Sequence, residues 1–152
     1  MTRICVFGAG AIGGYLAAAL DRAGANVSLV ARGPHLEAIQ DKGLLFEQDG
    51  KISTHKLVAS SNPADLGPQD VVFLAVKAHA IPAIVDSTMP LLGTETMVVS
   101  AVNGLPWWYF HRAQTGTGLD ESPLYAVDPG GKIWNGIGVQ RAIGCVVYPA
   151  CE

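Results

Sequence analysis

Four short stretches hold residues whose types and spacing could do chemistry. Gly8-Ala9-Gly10-Ala11-Ile12-Gly13 is G-x-G-x-x-G, a spacing suited to holding a pyrophosphate when it follows a strand and opens a helix. Each glycine has a physical task in such a loop. Gly8 permits a tight turn, Gly10 lets backbone approach phosphate with no Cβ in the way, and Gly13 lets the helix pack close to the strand. A glycine-rich turn with packing duties alone is the competing reading. The second stretch is Val27-Ser28-Leu29-Val30-Ala31-Arg32. An NAD site usually carries an acid near the end of this strand, bonded to the ribose 2′-hydroxyl. Here Arg32 takes that place, and a guanidinium suits a 2′-phosphate through charge-assisted, often bidentate hydrogen bonds. The expected cofactor is therefore NADPH and not NADH. A solvated arginine at a loop start is the alternative.

Lys77 and Asn103 complete the set, each directly after an apolar run. Ligands of open α/β sheets bind outside the carboxyl ends of the strands, where both residues would emerge. A lysine there can bond ribose or substrate oxygens. An asparagine can donate and accept near a nicotinamide or a substrate carbonyl. The plain readings are a surface lysine and an Asn-Gly turn pair. His79 lies close to Lys77, but without an orienting carboxylate it reads as structural. His35, His55 and His111 share no metal-ligand spacing with it, so no metal site is expected.

These stretches need elements to position them. Residues 3–7 read as a buried strand and 11–23 as a helix with Ile12, Leu16 and Leu20 on one face. A strand follows at 26–30, then a helix opened by Pro34 and running to Lys42. Residues 44–48 and 51–58 read as strands about Asp49-Gly50, a hairpin signal. Residues 60–69 are turn-rich. Strands are expected at 70–76, 97–102 and 142–148, and helices at 79–91 and 130–136. The tract 105–128 reads as a short helix carrying Trp107, Trp108, Tyr109 and Phe110, then a loop. Strand and helix in alternation predict an α/β, Rossmann-type, doubly wound and mostly parallel sheet with helices on both faces.

Composition narrows the function. The 152 residues fit one domain. A net charge of -3 with no basic stripe argues against nucleic acid as a partner, and no polybasic cluster invites an anionic membrane. Arg3 and the apolar stretch to Leu20 imitate a secretory signal, but Gly8, Gly10, Gly13 and Gly14 make a poor apolar core for one. Cys5, Cys145 and Cys151 are an odd count with no CxxC, which fits a reducing, cytoplasmic setting. Charged residues are only 15%, against about 25% in ordinary domains. Buried parallel strands explain part of this, and an apolar face beside the crevice is expected to explain the rest. The aromatic run 107–110 is expected to pack against another layer or domain, with a substrate-pocket wall as the lesser reading.

Taken in order, Gly8 to Gly13, Val30-Ala31-Arg32, Val76-Lys77-Ala78 and Val102-Asn103-Gly104 resemble the N-terminal half of the ketopantoate reductase family. The resemblance implies reduction of 2-dehydropantoate to (R)-pantoate with NADPH, in the pantothenate route to coenzyme A. It implies that Gly8, Ala9, Gly10, Ala11, Ile12 and Gly13 hold the pyrophosphate and Arg32 the 2′-phosphate. Lys77 would lie on the nicotinamide side, Asn103 would touch cofactor and substrate, and Pro149 or Ala150 would flank the cofactor. The family's proton donor and substrate-binding glutamate belong to a helical C-terminal domain. No catalytic residue is therefore expected among residues 1–152, and this stretch alone should turn over little. The expected partner is a small 2-oxo acid; a homodimer is left open. The aromatic run keeps a paralogous NADP-dependent 2-oxo acid reductase in view as an alternative, and a non-catalytic nucleotide-binding module is a second alternative from a different class.

Overall fold

The computed structural model describes residues 1–151. Strand β1 (Arg3–Phe7) leads into helix α1 (Ala11–Arg22), then β2 (Asn26–Val30) and α2 (Gly33–Lys42). A hairpin of β3 (Leu44–Gln48) and β4 (Lys51–His55) precedes the short strand β5 (Val58–Ser60). The second half runs through β6 (Gln69–Leu74), α3 (Ile81–Thr88), β7 (Leu92–Ala101), α4 (Lys132–Gly136) and β8 (Ala142–Cys145). Six strands form one parallel sheet in the order β5-β2-β1-β6-β7-β8, and the hairpin forms a separate antiparallel pair.

Strand alternation sends side chains to two separate cores. Val6, Val27 and Leu29 meet Ala17 and Ala18 of α1 and Leu36 and Ile39 of α2 on one face. Cys5, Phe7, Val72, Leu74 and Val98 meet Ile81 and Val85 of α3, Ile133 of α4 and Trp107 on the other. This is the doubly wound α/β arrangement expected from the alternating pattern. Burial of the Cys5 thiol pushes its pKa up to about 11, so it behaves as a small core hydrophobe.

Several boundaries differ from the sequence reading, each for a physical reason. The buried face of α1 is Gly13, Ala17 and Ala18, and not the stripe of Ile12, Leu16 and Leu20, which are half-buried. Small residues win the inner face because the helix crosses the sheet closely. The expected strand 51–58 breaks at Lys56-Leu57: its first part pairs with β3, while Val58–Ser60 pairs with β2 in the main sheet. The helix read over 79–91 is α3 between two 3-10 turns, Ala78–Ala80 and Met89–Leu91, with a proline at the start of α3 and of the second turn. Strand β7 begins at Leu92, five residues before the expected start. Residues 107–110 form turns and not a helix, and β8 ends at Cys145 instead of 148.

One buried carboxylate holds the far side of the second core. Asp128 is fully buried and accepts hydrogen bonds from the amides of Ile133 at 2.8 Å and Trp134 at 2.9 Å. Those amides open α4 and have no helical partner of their own. Asp128→Ala should lower stability by about 2 kcal/mol, read as a fall in Tm, and Asp128→Asn should recover part of it. An unchanged Tm in the alanine variant would remove Asp128 from this role.

Candidate functional site

Register brings the strand ends to one edge. Phe7 pairs with Val30 and with Leu74, and Leu74 pairs with Ser100, which pairs with Gly144. The residues just beyond these positions therefore emerge side by side. Strand order reverses between β1 and β6, because β2 departs to one side of β1 and β6 lies on the other. A crevice at such a switch point is where open α/β sheets bind ligands. A cleft of about 1180 Å³ occupies this edge. Its lining includes Gly8, Ala9, Gly10, Ala11, Ile12, Arg32, Lys77, Asn103 and Ala150.

The glycine loop is built by close backbone contacts. Gly8 sits at φ +107°, a conformation that favours glycine, and a Cβ there would meet the Ala75 carbonyl oxygen at 2.9 Å. A Cβ on Gly13 would fall on the Gly8 carbonyl oxygen itself. Gly13 thus stands behind the loop, outside the cleft lining, and lets α1 start against β1. Around Gly10 nothing lies within 4 Å of an added Cβ, so open space faces the backbone there. Gly10 is also the N-cap of α1, with no side-chain cap and no acid in the first turn. The unsatisfied amides and positive dipole end of α1 are left facing the cleft without a neutralising group. A pyrophosphate fits that cradle both in space and in charge.

Arg32 is exposed at the N-cap of α2, and its side chain makes no hydrogen bond or ion pair among the described residues. Beside it, His35 shares a hydrogen bond of 2.8 Å with the Ala9 carbonyl. His35 lines the cleft and ties α2 to the glycine loop. Sequence reading assigned His35 no site role beyond excluding it as a metal ligand, since the contact joins residues 26 apart with no motif to mark it.

Lys77 and His79 are exposed in the turn between β6 and α3, and both line the cleft. Asn103 does more than line it. Its Nδ2 donates to the Val147 carbonyl at 2.8 Å, and its Oδ1 accepts from the Val147 amide at 2.8 Å. The side-chain amide therefore extends the β7–β8 pairing past the end of the strands. It draws residues 146–151 over the cleft, where Val147, Pro149, Ala150 and Cys151 join the lining. Each Asn103 polar atom keeps one further hydrogen-bonding capacity.

The tract 105–128 lies outside the lining of this cleft. Trp107 is buried in the second core and meets Trp108 edge-on, with ring centroids 5.0 Å apart. Tyr109 is exposed and meets Phe110 in the same manner at 5.2 Å. Asp120 and Glu121 hold the outer loop. The Thr115 hydroxyl and amide lower the Asp120 pKa, and the His111 side chain and the Arg112 amide lower that of Glu121. Leu105, Ile143, Val146 and Tyr148 are exposed around this end of the sheet.

A parallel sheet in this order, with a glycine loop at its switch point and a cleft across the carboxyl ends, defines a Rossmann-type α/β domain. The chain belongs to the ketopantoate reductase PanE/ApbA family, whose profile matches residues 4–106. It is 54% identical over 151 residues to the 2-dehydropantoate 2-reductase of Mesorhizobium japonicum, covering 99% of this chain and 46% of that protein. A crystal structure from Ralstonia solanacearum MolK2, described as a ketopantoate reductase, superposes with a TM-score of 0.90 at 45% identity, over 99% of this chain and 46% of that one. A D-mandelate dehydrogenase solved with NADH and anilino(oxo)acetate superposes with a TM-score of 0.63 at 25% identity, over 68% of this chain and 34% of that one. The chain thus spans about half the length, or less, of these relatives. The family uses a nicotinamide cofactor.

Proposed function

We propose that this chain is the cofactor-holding half of a cytoplasmic reductase that converts 2-dehydropantoate to (R)-pantoate with NADPH, in pantothenate biosynthesis. The observation that carries the reading is the meeting of the glycine loop, Arg32, Lys77 and Asn103 in one cleft. The amides from Gly8 to Ile12 hold the pyrophosphate, with Gly13 supporting the loop from behind. Arg32 takes the 2′-phosphate, which selects NADPH although a structural neighbour was solved with NADH. Lys77 lies toward the nicotinamide side, and Ala150 flanks it from the opposite wall.

When bound, the reduced cofactor supplies a hydride to the 2-oxo carbon. The chain's own residues place and orient. Asn103 is fixed by Val147 and offers its remaining N–H and lone pair to cofactor ribose and substrate. Orienting the two reactants in this way is a large part of what such a protein contributes. The proton for the new hydroxyl comes from residues of the longer family polypeptide that this chain does not include. Lys77 is not given that role. The aromatic run and the D-mandelate dehydrogenase likeness favour a second reading, reduction of a different 2-oxo acid by the same machinery.

An assay of the polypeptide that carries this chain tests the proposal. Consumption of NADPH that depends on added 2-dehydropantoate is expected, with pantoate as product. NADPH binding without any oxo-acid-dependent consumption would leave only a nucleotide-binding module.

A further inference from the structure

The rim of the cleft from Arg32 to His35 is lightly held. Before it, the Ala31 amide donates to the Ser60 carbonyl at 3.2 Å. After it, Leu36 is the first residue of α2 to be buried. The four residues between are all exposed. Gly33 has a φ of +57°, and Pro34 has no N–H to give. Among the described residues, one side-chain hydrogen bond ties this segment to the rest of the chain, from His35 Nε2 to the Ala9 carbonyl at 2.8 Å.

The chemistry of that bond is one-sided. A carbonyl oxygen only accepts, so the His35 Nε2 carries the proton and donates it. The anchor also lies within the phosphate loop and not beside it. The Ala9 carbonyl and the Gly10 N–H belong to one planar trans peptide, so they point in opposite directions and turn together. Gly10 is the N-cap of α1, and its N–H has no hydrogen-bond partner among the described residues. His35 therefore joins the peptide that opens α1 to the first turn of α2, where Arg32 is the N-cap. Ala9, Gly10, Arg32 and His35 all line the same cleft.

We propose that His35 is a positioning residue for the cofactor. It holds Arg32 and the glycine loop at the separation that lets one NADPH molecule engage both. The inference rests on the reading of Arg32 as the 2′-phosphate group. In NADPH the 2′-phosphate and the pyrophosphate are joined through one ribose, so covalent bonds set their spacing. A rim free to drift must be ordered as the ligand binds, which weakens the second contact more than the first. NADH has no 2′-phosphate and engages the loop alone, so it is far less sensitive to that spacing. His35 thus contributes to the preference between the two cofactors by acting through Arg32.

Dissociation constants for NADPH and NADH, measured on the polypeptide that carries this chain, test the assignment. His35→Ala should weaken NADPH binding about tenfold, the equivalent of roughly 1.4 kcal/mol, and NADH binding by about threefold at most. His35→Gln carries an amide N–H at nearly the reach of Nε2 and should restore most of the NADPH affinity. His35→Asn is a bond shorter and should not. In an Arg32→Ala background, His35→Ala should add little further loss for NADPH, whereas independent effects would multiply. Tm should stay near that of the wild type throughout, since His35 is exposed. Unchanged NADPH affinity in His35→Ala, equal losses for the two cofactors, or full additivity with Arg32→Ala would overturn the inference and leave the cleft reading standing. If Arg32→Ala by itself left NADPH affinity unchanged, the 2′-phosphate reading would fail and the inference with it.

Discussion

Gly10→Val should abolish dinucleotide binding while leaving the fold intact. Gly10 has ordinary negative φ, and nothing lies within 4 Å of an added Cβ. The protein therefore has room for the side chain. The ligand does not, because that room is where backbone must approach the pyrophosphate. Losing two charge-assisted hydrogen bonds, at about 1.5–3 kcal/mol each, predicts a drop of about 10²–10⁴-fold in affinity. Gly13→Val should behave in the opposite sense. Its Cβ falls on the Gly8 carbonyl, a backbone atom held in the core of the loop. Overpacking against backbone should cost about 3 kcal/mol or more, or roughly 10 °C in Tm for a domain of this size. Thermal melts and NADPH titrations of both variants separate the two glycines. A Gly10→Val protein that binds normally would remove the loop from the cofactor site.

Arg32→Ala should lower NADPH affinity by about 10–100-fold and leave NADH affinity unchanged. The guanidinium is exposed and has no hydrogen-bond or ion-pair partner among the described residues. Its removal therefore breaks no internal bond, and Tm should stay within about 0.5 kcal/mol of wild type in stability terms. The wild-type preference for NADPH should also weaken as salt rises, because an exposed charge pair is screened. The variant should show no such dependence. Dissociation constants for both cofactors at low and high salt provide the measurement. Wild-type protein that binds NADH as tightly as NADPH would refute the 2′-phosphate role.

Much of this was legible because the chemistry is local. A strand-loop-helix unit announces itself through Phe7, Gly8, Gly10 and Gly13, all within a few residues. The strands that hold Lys77 and Asn103 are apolar runs, since parallel strands are buried on both faces. What escaped depends on distant partners. Three residues, Val58–Ser60, become a strand only because β2 offers them an edge. Leu92 to Thr96 look poor as a strand, with Gly93 and Glu95 among them, yet β7 starts there. Thr96 supports that start by donating from its hydroxyl to the Gln69 carbonyl of β6 at 2.5 Å. The tract 105–128 lacks a period because its backbone turns repeatedly, with positive φ at Arg112, Gln114, Gly116, Gly118 and Glu121. The His35 contact and the cap by Asp128 are products of tertiary packing. No spacing rule marks them.

The paired bonds between Asn103 and Val147 carry a consequence for substitution. They grip main chain and ignore the valine side chain. The 146–151 segment can thus change its side chains while this grip persists, provided position 147 keeps its N–H and so is not proline. Position 103 has no such latitude. Aspartate has the same length, but ionised it only accepts, and it would set a negative oxygen against the Val147 carbonyl. Serine is too short to do both jobs at once. One side chain thus acts as a splice between two stretches of backbone, tolerant on one side and exacting on the other.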